Sequence, residues 1–175
     1  MDDAKSLAEQ ATRAFRRGRY AEAAALYARA AQAYDAAGQP LLAAEMRSNQ
    51  AVALLQADQP GEALRVLEPL PAVFAQHDDA RREGLAWGNI GSALEALGRT
   101  DEAVQAYRRA WKLLEAAGEG EAVAYVAQAL SRLQLRQNRP LEALVTMDQG
   151  LASSPKRLHQ RLRALLRWPF RFLGS

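Results

Sequence analysis

The sequence repeats itself with a period of 40 positions, and this feature constrains the fold more than any other. A Glu-Ala pair recurs four times at that spacing. Shortly before each pair stands a residue type that tolerates the left-handed conformation at a helix end. The pairs begin at Glu22, Glu62, Glu102 and Glu142, and the preceding residues are Gly18, Asp58, Gly98 and Asn138. A period of this length indicates an array of stacked units.

Each unit has the pattern of two helices joined by a tight turn. The chain holds 38 alanines, and alanine is the best helix former. Pro60 and Pro140 stand where the first turn of a helix accepts proline. Small residues recur at Ala11, Ala51, Gly91 and Ser131, and large ones at Tyr27, Leu67, Tyr107 and Met147. The predicted helices cover residues 4–17, 20–37, 41–57, 60–76, 80–97, 100–117, 120–137 and 140–152.

The third unit resembles the tetratricopeptide repeat (TPR) family. The spacing of that family is carried by Trp87, Ile90, Gly91 and Leu94, and then by Ala103, Tyr107 and Ala110. The resemblance implies an all-α, right-handed superhelical solenoid of four TPR-like helix-turn-helix repeats over residues 4–152. We expect the repeats at about 4–38, 41–77, 80–118 and 120–152, and a basic amphipathic C-terminal helix and tail at 153–175. The long period is similar to that of a longer variant of the family.

Two prolines depart from this pattern. Pro69 and Pro71 lie inside the second helix of the second unit, where proline removes a hydrogen bond and clashes with the preceding turn. We expect a kink or a break there, with a short helix resuming through Val73 and Phe74. The irregularity is either tolerated on the convex face or reshapes the groove or an interface.

The residue patterns give no indication of catalysis. There is no cysteine, and His77 and His159 lie in different elements, which disfavours a zinc site. The serines lack a nucleophile-elbow pattern, and the glycines do not form a phosphate-binding loop. Neighbouring acids such as Asp78 and Asp79 suit helix starts. We therefore expect a non-enzymatic protein with no catalytic residues, metal or cofactor.

The resemblance places the candidate binding residues on the first helix of each pair. The expected groove residues are Thr12, Phe15, Arg16, Ser48, Val52, Leu55, Gly88, Ser92, Tyr125, Gln128, Arg132 and Arg136. We expect an extended or helical peptide, anchored on the apolar residues Phe15, Leu55 and Tyr125, while Arg132 and Arg136 pair with carboxylates. Ala8 and Thr12 depart from the carboxylate clamp of some family members. The alternatives are a solvated groove and a groove filled by the protein's own tail.

The last part of the chain differs from the rest in charge. Residues 1–155 hold 17 basic and 20 acidic residues, whereas residues 156–175 hold six basic residues and no acidic one. Ser154 and Pro155 suit a helix start. The leucines at 158, 162, 165 and 166 share one face at helical spacing. Candidate contacts to a membrane or a partner are Arg157, Arg161, Arg163, Arg167, Trp168, Phe170, Arg171 and Phe172.

Several roles stay open for this tail and for the whole chain. The tail could cap the solenoid, bind an anionic membrane surface or dock a partner, and we do not expect it to bind nucleic acid. The favoured function is an adaptor for a protein or peptide of unknown identity. The alternatives are a peripheral membrane scaffold and a self-assembling protein that stacks through its terminal repeats as a homo-oligomer. We expect a cytoplasmic bacterial protein, or one peripheral at the inner face of the membrane.

Overall fold

A computed structural model describes residues 3–153, and all regular structure in that range is α-helical. Nine helices follow one another in the described range, so the all-α prediction is confirmed. They are α1 (Ala4–Arg16), α2 (Tyr20–Ala36), α3 (Pro40–Gln56), α4 (Pro60–Leu67), α5 (Leu70–Ala75), α6 (Ala80–Ala96), α7 (Thr100–Ala116), α8 (Gly120–Arg136) and α9 (Pro140–Ala152). Apart from the break between α4 and α5, the predicted helix ends differ from the observed ones by one residue at most.

The helices pack in consecutive pairs and form a solenoid. The pairs are α1 with α2, α3 with the broken α4 and α5, α6 with α7, and α8 with α9. Each pair also packs on the next through its second helix, as α2 does on α3 and α7 does on α8. The hydrophobic core therefore runs along the array and is not gathered at one centre.

A residue with positive φ follows the helices at regular intervals of 20 positions. Four of these residues are glycines, and the others have φ between 54° and 59°. They are Gly18, Gly38, Asp58, Asp78, Gly98, Gly118 and Asn138. At each one the chain closes a Schellman turn. In the first turn, Arg19 N–H donates to the Ala14 carbonyl at 3.0 Å and Gly18 N–H donates to the Phe15 carbonyl at 2.9 Å.

The predicted break in the second unit is confirmed. Helix α4 ends at Leu67, and α5 begins at Leu70. Pro69 has no N–H to continue the helix, and Pro71 occupies the first turn of α5, where proline is tolerated. Leu67, Leu70 and Phe74 are nevertheless buried, so the break preserves the core.

Small residues allow the paired helices to approach closely, as the recurring small positions predict. Ala11, Ala51, Gly91 and Ser131 are all buried. At Gly91 the approach leaves no room for a side chain, because a Cβ atom there would lie 2.6 Å from Cδ1 of Tyr107.

Residues 154–175 lie outside the described range, and the tail contacts predicted from the sequence fall there. These residues are Arg157, Arg161, Arg163, Arg167, Trp168, Phe170, Arg171 and Phe172.

Candidate functional site

A pocket of about 260 Å³ opens between α3 and α6, the first helices of the second and third pairs. Phe74 of α5, which is 1% exposed, lies at its base. The pocket is lined by Glu45, Ser48, Asn49, Val52, Phe74, Arg81, Arg82, Leu85 and Asn89. We call the side of the solenoid lined by α1, α3, α6 and α8 the first-helix face. Of the predicted groove residues, the pocket includes Ser48 and Val52.

Ion pairs fix the charged residues of this pocket. Arg82 Nη2 donates to Glu45 Oε2 at 2.9 Å, and Arg82 Nη1 donates to Asp79 Oδ2 at 2.9 Å. Asp79 also caps α6, because its Oδ1 accepts the backbone N–H of Arg82 at 2.9 Å. Arg81 Nε donates to Glu119 Oε1 at 2.6 Å. These pairs join α3 to α6 and α6 to the start of α8, so the pocket has a preformed charged rim.

The three uncharged polar side chains of the pocket make no hydrogen bond within the described part of the chain. Asn49 and Asn89 are partly buried, and their amides make no hydrogen bond to any other residue within 3–153. The same holds for the Ser48 hydroxyl in that part of the chain. An asparagine amide offers two donors and a carbonyl acceptor. Because Ser48, Asn49 and Asn89 are partly exposed, water can form hydrogen bonds with their side chains, and a ligand could replace that water.

A second polar cluster joins α6 to α8. Glu95, whose side chain is 13% exposed, accepts from Arg132 Nε at 3.1 Å and Nη2 at 2.9 Å, and from Arg136 Nη1 at 3.3 Å. The Tyr107 hydroxyl donates to the same carboxylate at 3.1 Å. The hydrogen bonds to Glu95 raise the pKa of Arg132 above its ordinary value. The sequence predicts that Arg132 and Arg136 bind carboxylates of a ligand. Both arginines pair instead with the Glu95 carboxylate of the same chain, so the three side chains together keep one net positive charge.

Two of the predicted hydroxyl residues of the groove, Thr12 and Ser92, have internal partners. Thr12 Oγ1 donates to the Ala8 carbonyl at 2.9 Å and lies 3.0 Å from the Tyr27 hydroxyl. Ser92 Oγ donates to the Gly88 carbonyl at 3.2 Å and lies 3.2 Å from the Tyr107 hydroxyl. Burial raises the pKa of Tyr107, and the nearby Glu95 carboxylate adds to the shift.

The remaining predicted groove residues differ in how far they are exposed to solvent. Gly88 is buried, and a Cβ there would face Ala110 and Val126, so this position adds no side chain to the groove. Phe15 and Leu55 are partly buried against the core, and Phe15 makes an edge-to-face contact with Tyr20 at 5.3 Å between ring centroids. The exposed members are Arg16, Tyr125, Gln128, Arg132 and Arg136.

Another pocket, of about 230 Å³, lies between α4, α6 and α7. Its apolar lining includes Leu64, Trp87 and Ile90. The Arg109 guanidinium stacks over Trp87, with its carbon 4.6 Å from the ring centroid. This cation–π contact covers one face of the aromatic ring.

Comparison with known proteins bears on this geometry. A tetratricopeptide repeat family model matches residues 82–156, which cover nearly all of the third and fourth helix pairs. Residues 82–156 are therefore similar to tetratricopeptide repeats (TPRs). No curated protein in the comparison matches this chain.

Solved structures share the TPR-type solenoid. The crystal structure of apo RapI aligns with a TM-score of 0.79 at 14% identity and covers 88% of this chain. The chain spans 43% of RapI. A proposed kinesin light chain from Podosopora anserina with nearly identical TPR-like repeats aligns at 20% identity with a TM-score of 0.70, covering 87% of this chain and 75% of the other. At these identities the likeness concerns the fold.

The TPR fold suggests a scaffold for protein–protein interaction. TPR proteins are generally non-enzymatic adaptors. Within residues 3–153, no group of three or more His, Cys, Asp or Glu residues could hold a metal ion. None of the helices in the same range combines the length and the apolar character needed to cross a membrane.

Sequence reasoning missed Asn49 and Asn89 as site residues. Asn49 and Asn89 are separated by one full period of the sequence and so occupy the same position in successive TPR units. The same residue type at the same position of two successive units was the sequence signal that could have identified this site. The pocket also includes Arg81 and Arg82, whose role depends on ion pairs that only the packed helices reveal.

Proposed function

We propose that this TPR protein is a non-enzymatic adaptor that binds an extended segment of another protein along its first-helix face. The observation that carries the proposal is the pocket between α3 and α6, in which Asn49 and Asn89 have no hydrogen-bond partner from residues 3–153. A preformed concave site with an apolar base and a few free polar groups is the usual form of a binding site.

The size of the pocket favours a side chain of a peptide over a small-molecule cofactor. Its volume of about 260 Å³ is smaller than the range of about 300–1,000 Å³ typical of small-molecule sites. Phe74, Val52 and Leu85 provide apolar contacts for one inserted side chain. An apolar anchor in such a pocket would supply most of the affinity.

The free amides favour an extended backbone over a helical one. A helix satisfies its backbone N–H and C=O groups internally, whereas an extended segment leaves them available. Asn49 and Asn89 can each donate to a carbonyl and accept from an N–H. Hydrogen bonds of this kind recognise the main chain, so the site would bind partners of varied sequence.

The exposed residues of α8 extend the proposed contact. Tyr125 and Gln128 are exposed beside Arg132 and Arg136, which retain one net positive charge after pairing with Glu95. This end of the face suits an acidic residue of the partner. Residues 4–152 thus provide an apolar pocket followed by a weakly cationic site.

Selection of peptides on the full chain tests the proposal. A random peptide library displayed on phage would be selected against the wild-type protein, and the enriched peptides would be measured by isothermal titration calorimetry. We expect the double variant Asn49→Ala, Asn89→Ala to bind them about tenfold more weakly. Two hydrogen bonds contribute about 1–3 kcal/mol together, and a factor of ten corresponds to about 1.4 kcal/mol.

The matched control removes an amide from a second helix. Gln32→Ala lies on α2 and is exposed, so it should leave the affinity unchanged. The proposal is wrong if no peptide is enriched above background. It is equally wrong if the enriched peptides bind the asparagine variant as tightly as the wild type.

A further inference from the structure

The third unit carries an acid at a position of the first-helix face where the other three units carry a large apolar residue. The acid is Glu95, and the equivalent residues are Phe15, Leu55 and Leu135. Phe15 and Leu55 pack partly against the core, and Leu135 is exposed. The repeat itself therefore does not require a carboxylate at this position.

The two arginines that contact Glu95 are equally particular to one unit. Arg132 takes the place of smaller uncharged residues, which are Thr12, Val52 and Ser92. The positions equivalent to Arg136 hold Arg16, Gln56 and Ala96. Of the four units, the fourth alone has arginine at both positions, and the third unit beside it alone has the acid. The three charged residues form an arrangement that the repeat pattern does not explain.

Hydrogen-bond donors fully occupy the Glu95 carboxylate. Its Oε1 atom accepts from Arg132 Nε at 3.1 Å and from Arg136 Nη1 at 3.3 Å. Its Oε2 atom accepts from Arg132 Nη2 at 2.9 Å and from the Tyr107 hydroxyl at 3.1 Å. A carboxylate has about four acceptor sites, and all are used here. Glu95 is thus held as a bound carboxylate of a partner would be held, by two arginines and a hydroxyl.

Glu95 holds the two arginines to different degrees. Arg132 makes two bonds to the two carboxylate oxygens, which is the bidentate geometry in which arginine binds a carboxylate strongly. Arg136 makes one bond, and its length of 3.3 Å exceeds the usual range of about 2.7–3.2 Å. The Arg136 side chain is also the more exposed, at 63% against 48% for Arg132. Arg136 is therefore the more available cation.

Both guanidinium groups keep donors for a second acceptor. Each arginine has five N–H donors, and within residues 3–153 Arg132 uses two of them and Arg136 one, all on Glu95. The Glu95 side chain is only 13% exposed, so it lies deeper than either arginine. A carboxylate that approaches from solvent meets the arginines before it meets Glu95.

The charge of this site is balanced by one further acid. Arg132, Arg136 and Glu95 together carry one net positive charge, so a single carboxylate of a partner makes the group neutral. Without Glu95 the site would carry two positive charges and would favour two acids. The internal acid therefore limits how strongly acidic partners are attracted.

We propose that Glu95 is an internal acidic ligand that sets the specificity of the first-helix face, because it holds Arg132 and leaves Arg136 to bind one acidic side chain of the partner. Arg132 is a positioning residue in this scheme. In its absence Arg136 would pair with the largely buried Glu95 carboxylate and would no longer be available. The inference rests on the proposed function, since it concerns how the partner segment is selected.

Binding of short acidic peptides to the full chain tests the proposal. The probes are a capped, fluorescein-labelled hexaglutamate peptide and a hexaglutamine peptide with the same label, measured by fluorescence anisotropy at low ionic strength. We expect Glu95→Gln to bind hexaglutamate about fivefold more tightly than the wild type, because this variant releases a second arginine. Its affinity for hexaglutamine should not change.

Arginine variants separate contact from positioning. We expect Arg136→Gln to bind hexaglutamate about fivefold more weakly than the wild type. Arg132→Gln should weaken binding similarly, because Arg136 then pairs with Glu95, and the double variant Arg132→Gln, Glu95→Gln should recover the wild-type affinity. Arg108→Gln removes an exposed arginine from α7, so it is a control with the same change in net charge and should have little effect.

Circular dichroism verifies that each variant is folded. If Glu95→Gln is unfolded at the temperature of the assay, Glu95→Leu takes its place, because leucine occupies the equivalent position in the second and fourth units. This variant also releases both arginines, so it should bind hexaglutamate more tightly than the wild type by a similar factor.

Equal affinities of the wild type and Glu95→Gln for hexaglutamate, or no binding by either, would overturn the proposal. So would a double variant that binds as weakly as Arg132→Gln alone, since Arg132 would then contact the peptide itself. The adaptor function is tested separately, by the selected peptides and the variants of Asn49 and Asn89. Either proposal can therefore fail while the other stands.

Discussion

At the scale of single residues, the same hydrogen-bonded pair occurs in the first and the third unit. Thr12 lies 3.0 Å from Tyr27, and Ser92 lies 3.2 Å from Tyr107, both measured between hydroxyl oxygens. The second and fourth units replace these pairs with Val52 and Leu67, and with Arg132 and Met147. A hydroxyl pair therefore joins the two helices in the first and third units and is absent from the second and fourth.

The closest helix approach gives a prediction for Gly91. A Cβ atom at this position would lie 2.6 Å from the Tyr107 ring, whose hydroxyl is held by Glu95. We expect Gly91→Ala to lower the free energy of unfolding by about 1–3 kcal/mol, because the ring must shift in a packed core. Urea denaturation followed by circular dichroism measures this difference.

Gly61 is the matched control, because it lies in α4 and a Cβ added there would have no other atom within 4 Å. Here Gly→Ala should stabilise the protein by about 0.4–1 kcal/mol through helix propensity and a less flexible unfolded chain. A Gly91→Ala variant as stable as Gly61→Ala would contradict the close approach.

At the scale of helices, the sequence predicts the elements almost completely. Residues such as Gly98 and Asn138 mark each helix end, and the chain adopts positive φ at both. The break at Pro69 is predictable because proline cannot donate the hydrogen bond that a continuous helix needs. These signals are local, so they can be read without knowing which helices meet.

The break between α4 and α5 gives a prediction about the cost of proline in this fold. We expect Pro69→Ala to change the free energy of unfolding by less than about 1 kcal/mol, because Leu70 and Phe74 already pack fully. Arg109 is the equivalent position in the unbroken α7. Arg109→Pro should cost about 3 kcal/mol or more.

Arg109→Ala is the control for Arg109→Pro, because the alanine variant loses the stacking on Trp87 but keeps the backbone N–H. Urea denaturation of the three variants separates the two effects. If proline and alanine at position 109 were equally destabilising, the broken second helix would not be a special feature of the second pair.

The candidate site is less predictable than the helices, because it is formed by side chains from several helices that pack together. The pocket needs Phe74 from the short helix α5 together with Asn49 and Asn89 from two others. Glu95 meets Arg132 and Arg136 only because α6 and α8 lie side by side. The sequence shows which residues share a position in the repeat, but the partner of each side chain depends on packing.

At the scale of the whole molecule, each helix pair contacts mainly the pairs next to it. This arrangement predicts that part of the array can fold without the rest. A chain of residues 1–118 ends after α7 and keeps three complete pairs. We expect it to remain helical and to unfold cooperatively at a lower Tm than the full chain, because stability in such arrays is roughly a sum over units and their interfaces. Far-UV circular dichroism during heating measures both properties.

Truncation inside a pair is the control. A chain of residues 1–98 leaves α6 without α7, its main packing partner. We expect this shorter chain to lose more helical signal per residue than the 1–118 chain. Loss of all helical structure in the 1–118 chain would mean that the four pairs fold only as a single unit.

The regular spacing of the positive-φ turn residues limits how a chain of this kind can change in length. One residue inserted within a helix rotates everything after it by about 100°, so the side chains that line the pocket would turn away from it. Insertion of a single helix with its turn would exchange the first and second helices of every later pair. Only the gain or loss of a complete pair keeps both faces in place, so lengthening by whole pairs is the natural route to a longer binding surface.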